Sequence, residues 1–276
     1  MSNTNVIIIL SIVVYAAITL GRTEFFRRHI RIAAVFFTLS LFTFPLWAGN
    51  RDSWFEWVKI ISVLVPTAML GFARIANFEN RQGKFWNIFK GKWILGFFYG
   101  ILFLNITEAS LRDWQLGNYF NCLSGFLLNL TIPFIGKFWR FDKKERGDLI
   151  VDFPQAWCFL YTSWNACFIF AAIPDEFAGG FAILIAAEFY SLIRRPDLYV
   201  MARVYTLALF VLHMGTINVL PFMNTTAWYN PVIVKWWGIA NLVFGAVYVM
   251  WYNWQMYTGK CDAKFRHPKS APDSTI

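Results

Sequence analysis

Nine apolar stretches divide this chain, and its basic residues gather in every second gap between them. The first gap holds Arg22, Arg27, Arg28 and Arg31, and the third holds Arg74, Arg81, Lys84 and Lys90. The fifth holds Lys137, Arg140, Lys143, Lys144 and Arg146, the seventh Arg194 and Arg195, and the tail Lys260, Lys264, Arg266 and Lys269. The even gaps offer Arg51 beside Asp52, Arg112 beside Asp113, then Asp175 and Glu176, and no charge in the last until Lys235. Basic residues beside membrane segments mark the cytoplasmic surface. The alternation therefore predicts a polytopic helix bundle with its N-terminus outside and its C-terminus inside.

Each stretch is close to the length that a helix needs to cross a hydrocarbon core. The expected spans are 5–21, 31–49, 54–76, 92–110, 118–138, 153–174, 178–193, 198–222 and 232–257, of which the short seventh is the weakest. Removing it would put the basic tail outside, so the charge pattern itself favours nine. The first stretch has no basic segment before it and reads as a retained helix, not a cleaved signal. No repeat or linker divides the chain. We expect one transmembrane domain over 1–257 and a basic, disordered cytoplasmic tail over 258–276.

Composition agrees with an all-α membrane class. The chain is 58% hydrophobic and only 15% charged, well below the charge of soluble domains. Its net charge of +9 lies beside apolar segments, which suits anionic lipid and argues against nucleic acid. Cys122, Cys158 and Cys167 lie within apolar stretches and are expected to pack as small apolar groups, and Cys261 lies in the tail. No motif requires a metal or cofactor, and none decides whether the protein is an enzyme.

Ionisable groups inside a span are costly unless they face protein or water, so each is a functional candidate. Asn105, Glu108 and Arg112 share one helical face, and an internal Glu108–Arg112 pair is one reading of them. Asn118, Asn121, Ser124 and Asn129 form a stripe in the fifth span, and Tyr161, Thr162 and Asn165 form another in the sixth. Lys59, His213 and Asn218 fall at a similar inferred depth. We expect Lys59, Glu108, Asn165 and His213 to line one outward-opening pocket, with Glu108 and Arg112 facing the bundle interior. Glu188 is the charge placed deepest by sequence, and could pair with Arg203 or Lys59. Gly96-x-x-x-Gly100 would permit close helix packing.

Four stretches carry a resemblance: Trp54-Phe-Glu-Trp-Val-Lys59, Asn105-Ile-Thr-Glu-Ala-Ser-Leu-Arg-Asp113, Tyr161-Thr-Ser-Trp-Asn165 and Arg203-Val-Tyr-Thr-Leu-Ala208. Together they resemble a bacterial multi-pass family, domain of unknown function 5692. The resemblance implies a helical protein of the bacterial cytoplasmic membrane and no particular reaction. It adds weight to Lys59, Glu108, Arg112, Asp113, Trp164, Asn165 and Arg203. With His213, all but Arg203 make up the expected ligand-binding set. The expected function is a small-molecule transporter or binding protein, its partners being the bilayer and a small ligand. A membrane enzyme acting on a lipid or isoprenoid-like substrate through Glu108, Asp113 and His213 is the alternative, and a sensor or assembly factor the third. The scarcity of buried polar groups expected in the inner half, Glu188 apart, weighs against a carrier. The sequence leaves the oligomeric state open.

Overall fold

The computed structural model describes residues 3–47, 49–50, 54–133, 135–136, 138–143, 145–217 and 223–258. Asn218 and, apart from Thr258, the tail lie outside the described residues. The chain runs through α1 (Asn3–Arg28), α2 (Ile30–Ser40), a short turn into α3 (Phe44–Trp47), α4 (Trp54–Phe78), α5 (Lys84–Ile88), α6 (Lys92–Gln115) and α7 (Tyr119–Leu130). A two-stranded hairpin, β1 (Trp139–Phe141) and β2 (Leu149–Val151), leads to α8 (Gln155–Ala172), α9 (Phe177–Ile193), α10 (Tyr199–Thr216) and α11 (Pro231–Tyr257).

Among the described residues, seven segments are long and apolar enough to cross a membrane: Asn3–Arg28, Ile30–Trp47, Glu56–Phe78, Lys92–Gln115, Pro174–Ile193, Pro196–Thr216 and Pro231–Gln255. The seventh expected span, the weakest on sequence, is among them. The fifth and sixth are not. The apolar run 118–138 yields only the 12-residue α7, about 18 Å long against a core of about 30 Å. Pro133 follows its last turn, and the hairpin takes up the chain from there. Helix α8 falls short because its neutral polar residues dilute an otherwise apolar helix.

Packing places α8 inside the bundle. It touches α6, α7, α9 and α11, while α7 lies between α6 and α11. Helix α1 packs on α9 and α10, and α4 packs on α2 and α10. Trp157 and Trp164 of α8 are fully enclosed, and Trp157 stacks on Phe153 with ring centres 3.7 Å apart. The outward faces are apolar instead. Val6, Leu10 and Val13 of α1, and Trp236, Phe244, Val247 and Met250 of α11, are exposed, which is compatible with helices that border lipid. A close approach of helix backbones is at Gly71, where an added Cβ would lie 2.7 Å from Ala34 Cα. The Gly96-x-x-x-Gly100 pair makes no such approach: a Cβ on Gly96 would meet only Ile135 Cδ1 at 3.4 Å, and one on Gly100 nothing within 4 Å.

The connections meet by parity. Arg27 of the first gap bonds Asp148 and Glu145 of the fifth. Arg31 of the first bonds Glu79 of the third, and Arg194 of the seventh bonds Glu24 near the end of α1. At the opposite end, Thr225 N donates to Asp175 O across the eighth and sixth gaps. Asn50 Nδ2 donates to Gly215 O and Thr216 O, joining the second gap to the last turn of α10. The basic gaps thus share one end of the bundle. The hairpin closes that end, pairing Trp139 with Val151 and Phe141 with Leu149. Its turn passes through Gly147 at φ +67°, where a Cβ would fall 2.5 Å from Arg74 O. Only glycine combines that conformation with so close a backbone.

Candidate functional site

Successive residues of an α-helix point about 100° apart, so a run of polar residues on a central helix faces several neighbours at once. Helix α8 carries such a run, Thr162-Ser-Trp-Asn165. Thr162 Oγ1 donates to Glu188 Oε2 of α9 at 2.8 Å and lies 2.7 Å from Tyr199 Oη of α10. Ser163 Oγ donates to Asn241 Oδ1 of α11 at 2.7 Å and accepts from Trp237 Nε1 at 2.9 Å. Trp164 Nε1 donates to Asn121 O of α7 at 3.0 Å. Asn165 Nδ2 donates back to Tyr161 Oη at 3.3 Å.

Two polar centres hang from this run. Toward the even-gap end, buried Asp113 of α6 accepts from Asn118 Nδ2 at 2.9 Å and Asn121 Nδ2 at 2.7 Å. Asn121 also donates to Trp164 O and accepts from Asn241 Nδ2 at 2.8 Å. The carboxylate is thus held by side-chain amides with no cation bonded to it among the described residues. A cleft of about 370 Å³ opens above this centre, lined by Leu116, Asn118, Tyr119, Tyr229 and Lys235 among others. Toward the basic end, Glu188 is buried and accepts from Gln155 Nε2 at 2.5 Å and from Thr162. It forms no ion pair among the described residues, so the pairing with Arg203 or Lys59 considered above is not made. Arg203 is buried one helical turn into α10, its guanidinium carbon 5.9 Å from the centre of the Tyr161 ring.

The other expected site residues fall in separate groups. Lys59 Nζ donates to Glu108 Oε2 at 2.6 Å, joining α4 to α6. Their side chains are 43% and 51% exposed, so Glu108 does not face the bundle interior. Neither does Arg112, which is exposed and donates to Gln115 Oε1 at 3.0 Å instead of pairing with Glu108. Helical periodicity explains the split: Asp113 lies across the helix from Glu108, so one faces α7 and the other faces outward. His213 faces α1. Arg22 can only donate, so its Nη1 supplies the bond to Nε2 at 2.9 Å, which leaves Nδ1–H to donate to Tyr15 Oη at 3.0 Å. Glu108, Asp113 and His213, the acid–base set of the enzyme reading, therefore occupy three separate hydrogen-bond groups. None of Lys59, Glu108, Asn165 and His213 lines the 370 Å³ cleft.

Sequence reasoning missed the densest buried charge. Asp148 is fully enclosed, accepting from Arg27 Nε at 2.7 Å and from Arg74 Nη2 at 2.9 Å. Arg74, also fully enclosed, donates in addition to Phe26 O, Arg27 O, Arg146 O and Tyr205 Oη. These arginines were expected as surface anchors, and Asp148 sits in a charged loop that reads as solvated. The signal available was parity: four basic gaps sharing one end need a common anion. The half of the bundle at the basic end is therefore rich in buried polar groups, where the sequence led us to expect few.

A family model described as a family of unknown function, DUF5692, matches residues 1–262. No curated protein and no solved structure matches the chain.

Proposed function

The chain belongs to the family of unknown function DUF5692, and we propose that it is a multi-pass membrane protein that binds and carries a small polar molecule. One observation supports this above the others. The run Thr162–Asn165 on the central helix links a polar centre beneath an open cleft at one end to a second polar centre near the other end. A carrier needs polar partners at both depths, whereas a receptor for an outside ligand needs them only beneath the mouth. The ligand-binding role expected of Lys59, Glu108, Arg112, Asp113, Trp164, Asn165 and His213 belongs to this reading. Asp113, Trp164 and Asn165 belong to the polar network around α8, and Lys59, Glu108, Arg112 and His213 lie apart from it in groups of their own on α4, α6 and α10.

The test is ligand-dependent stability. A panel of small polar metabolites is added to the purified protein, and at a hundredfold excess over Kd a true ligand should raise Tm by about 5 °C. Glu188→Gln keeps an acceptor for Thr162 and should melt near wild type, yet lose most of that rise. A panel that stabilises nothing, or one that stabilises wild type and E188Q equally, refutes the reading.

In the same proposal all nine helices cross a bacterial cytoplasmic membrane with the N-terminus outside. Gln115 ends α6 at the even-gap end and the hairpin lies at the basic end, so the chain passes from one end to the other between them, and α8 carries it back. Single cysteines test this. An impermeant maleimide should label Gln115→Cys on intact cells and Gln82→Cys only after permeabilisation. The reverse pattern would overturn the orientation.

A further inference from the structure

Arg27, Arg74 and Arg203 are buried near the basic end, and the protein satisfies the last of them differently. A guanidinium has five N–H donors and no acceptor. Burying it within a membrane-spanning segment is costly unless those donors are met. Arg74 meets the requirement: apart from Nε, its nitrogens reach Asp148, Tyr205 and three backbone carbonyls. Arg203 does not. Only 8% exposed, it makes one bond, from Nη1 to Thr206 Oγ1 one turn along its own helix, and that bond is long at 3.4 Å. Its Nε is enclosed with no acceptor. Its Nη2 has no acceptor among the described residues, and it is not among the enclosed atoms that lack one. No carboxylate of the described residues comes within 4 Å of it. The carboxylate of the same centre, Glu188, is engaged by Gln155 and Thr162.

We infer that Arg203 is the docking group for the oxyanion of a ligand, a carboxylate or a phosphate bound at Nη2 and turned toward the unmet Nε. A planar guanidinium suits a bidentate oxyanion. Tyr161, whose ring lies beside the guanidinium, and Tyr199, hydrogen-bonded through Thr162, supply an aromatic wall for the body of such a ligand. The inference rests on the carrier reading and narrows its substrate to an organic anion. The same chemistry would also hold a lipid phosphate, so the test separates the two sources.

Purified protein in nanodiscs of zwitterionic lipid is titrated with sodium benzoate, with inorganic phosphate, and with benzyl alcohol as the neutral analogue of benzoate. Parallel discs contain phosphatidylglycerol. Melting temperature and tryptophan fluorescence report binding. Benzoate or phosphate should bind wild type where benzyl alcohol does not, and Arg203→Gln should lose about tenfold or more in affinity. A shift seen only in phosphatidylglycerol discs and abolished by R203Q assigns the oxyanion to a lipid headgroup and also supports docking at Arg203. If R203Q does not fold, Arg203→Lys serves: it keeps the charge, loses the fork, and should bind the anion several-fold more weakly at unchanged melting temperature. The proposal is overturned if no anion binds wild type, or if whichever variant folds binds as wild type does. Ligands that still depend on Glu188 while ignoring Arg203 would leave the carrier reading standing and remove this one alone.

Discussion

Replacing Asp148 with alanine should destabilise the protein by about 3–5 kcal/mol, the cost of stranding a buried charge without its partner. The substitution strands Arg74 and takes from Arg27 its shortest ion pair, leaving Arg27 only Glu145 and Glu24. Reversible unfolding in mixed micelles gives the value. Asp148→Asn keeps the shape and one acceptor oxygen, so its loss should be smaller. A double variant, Asp148→Leu with Arg74→Met, should recover part of the alanine loss, because an apolar pair carries no unmet charge. An alanine variant within about 1 kcal/mol of wild type would mean that water already solvates this centre, and the description of it as closed would be wrong.

Gly71→Val should cost about 1–3 kcal/mol, toward the upper end. The first added carbon would sit 2.7 Å from Ala34 Cα and 2.8 Å from Ala34 Cβ. A backbone atom cannot turn aside as a long side chain can, so α2 must move off α4. Gly100→Ala is the matched control. Its Cβ meets nothing within 4 Å, and alanine favours a helix interior over glycine by about 1 kcal/mol. It should therefore be neutral or mildly stabilising. A tolerated G71V beside a damaging G100A would place the tight contact on the wrong pair of helices.

The contrast between these two glycines shows what a one-dimensional pattern carries. Small residues four apart can be read from a sequence, but whether a neighbour occupies the notch depends on packing. Parity survives that limitation. Charges in alternate gaps were expected at one end, and Arg27, Arg31, Arg74, Arg194 and Asp148 do gather there, because an antiparallel bundle leaves the chain no other arrangement. Helix ends are less legible. The apolar run 118–138 does not announce that its helix stops at Leu130, since the hairpin beyond it is also apolar on its buried strand. In the candidate site, Asp113, Thr162, Asn165 and Glu188 stand out as polar groups in apolar helices. Their partners do not: Asn241 and Gln155 look unremarkable alone, and only the rotation of α8 among four neighbours joins them. Asp148 was invisible for the opposite reason. It lies among charges, and nothing in a charged loop distinguishes the one carboxylate that is taken inside.

The closed end of the bundle also has an order in time. A chain made from its N-terminus presents Arg27 first and Arg74 some forty-seven residues later, while their shared anion is still seventy-four residues short of Arg74 along the chain. Through that interval α1 and α4 carry two cations without the carboxylate they later share, Arg27 having only Glu24 and Arg74 only the carbonyls of Phe26 and Arg27. They cannot settle onto α10 at that stage either, since Tyr205, the remaining side-chain acceptor of Arg74, comes later still. The two guanidinia are therefore fully matched only once the hairpin carrying Asp148 has been made. Completion of the basic end thus depends on the hairpin and not on its first helices alone.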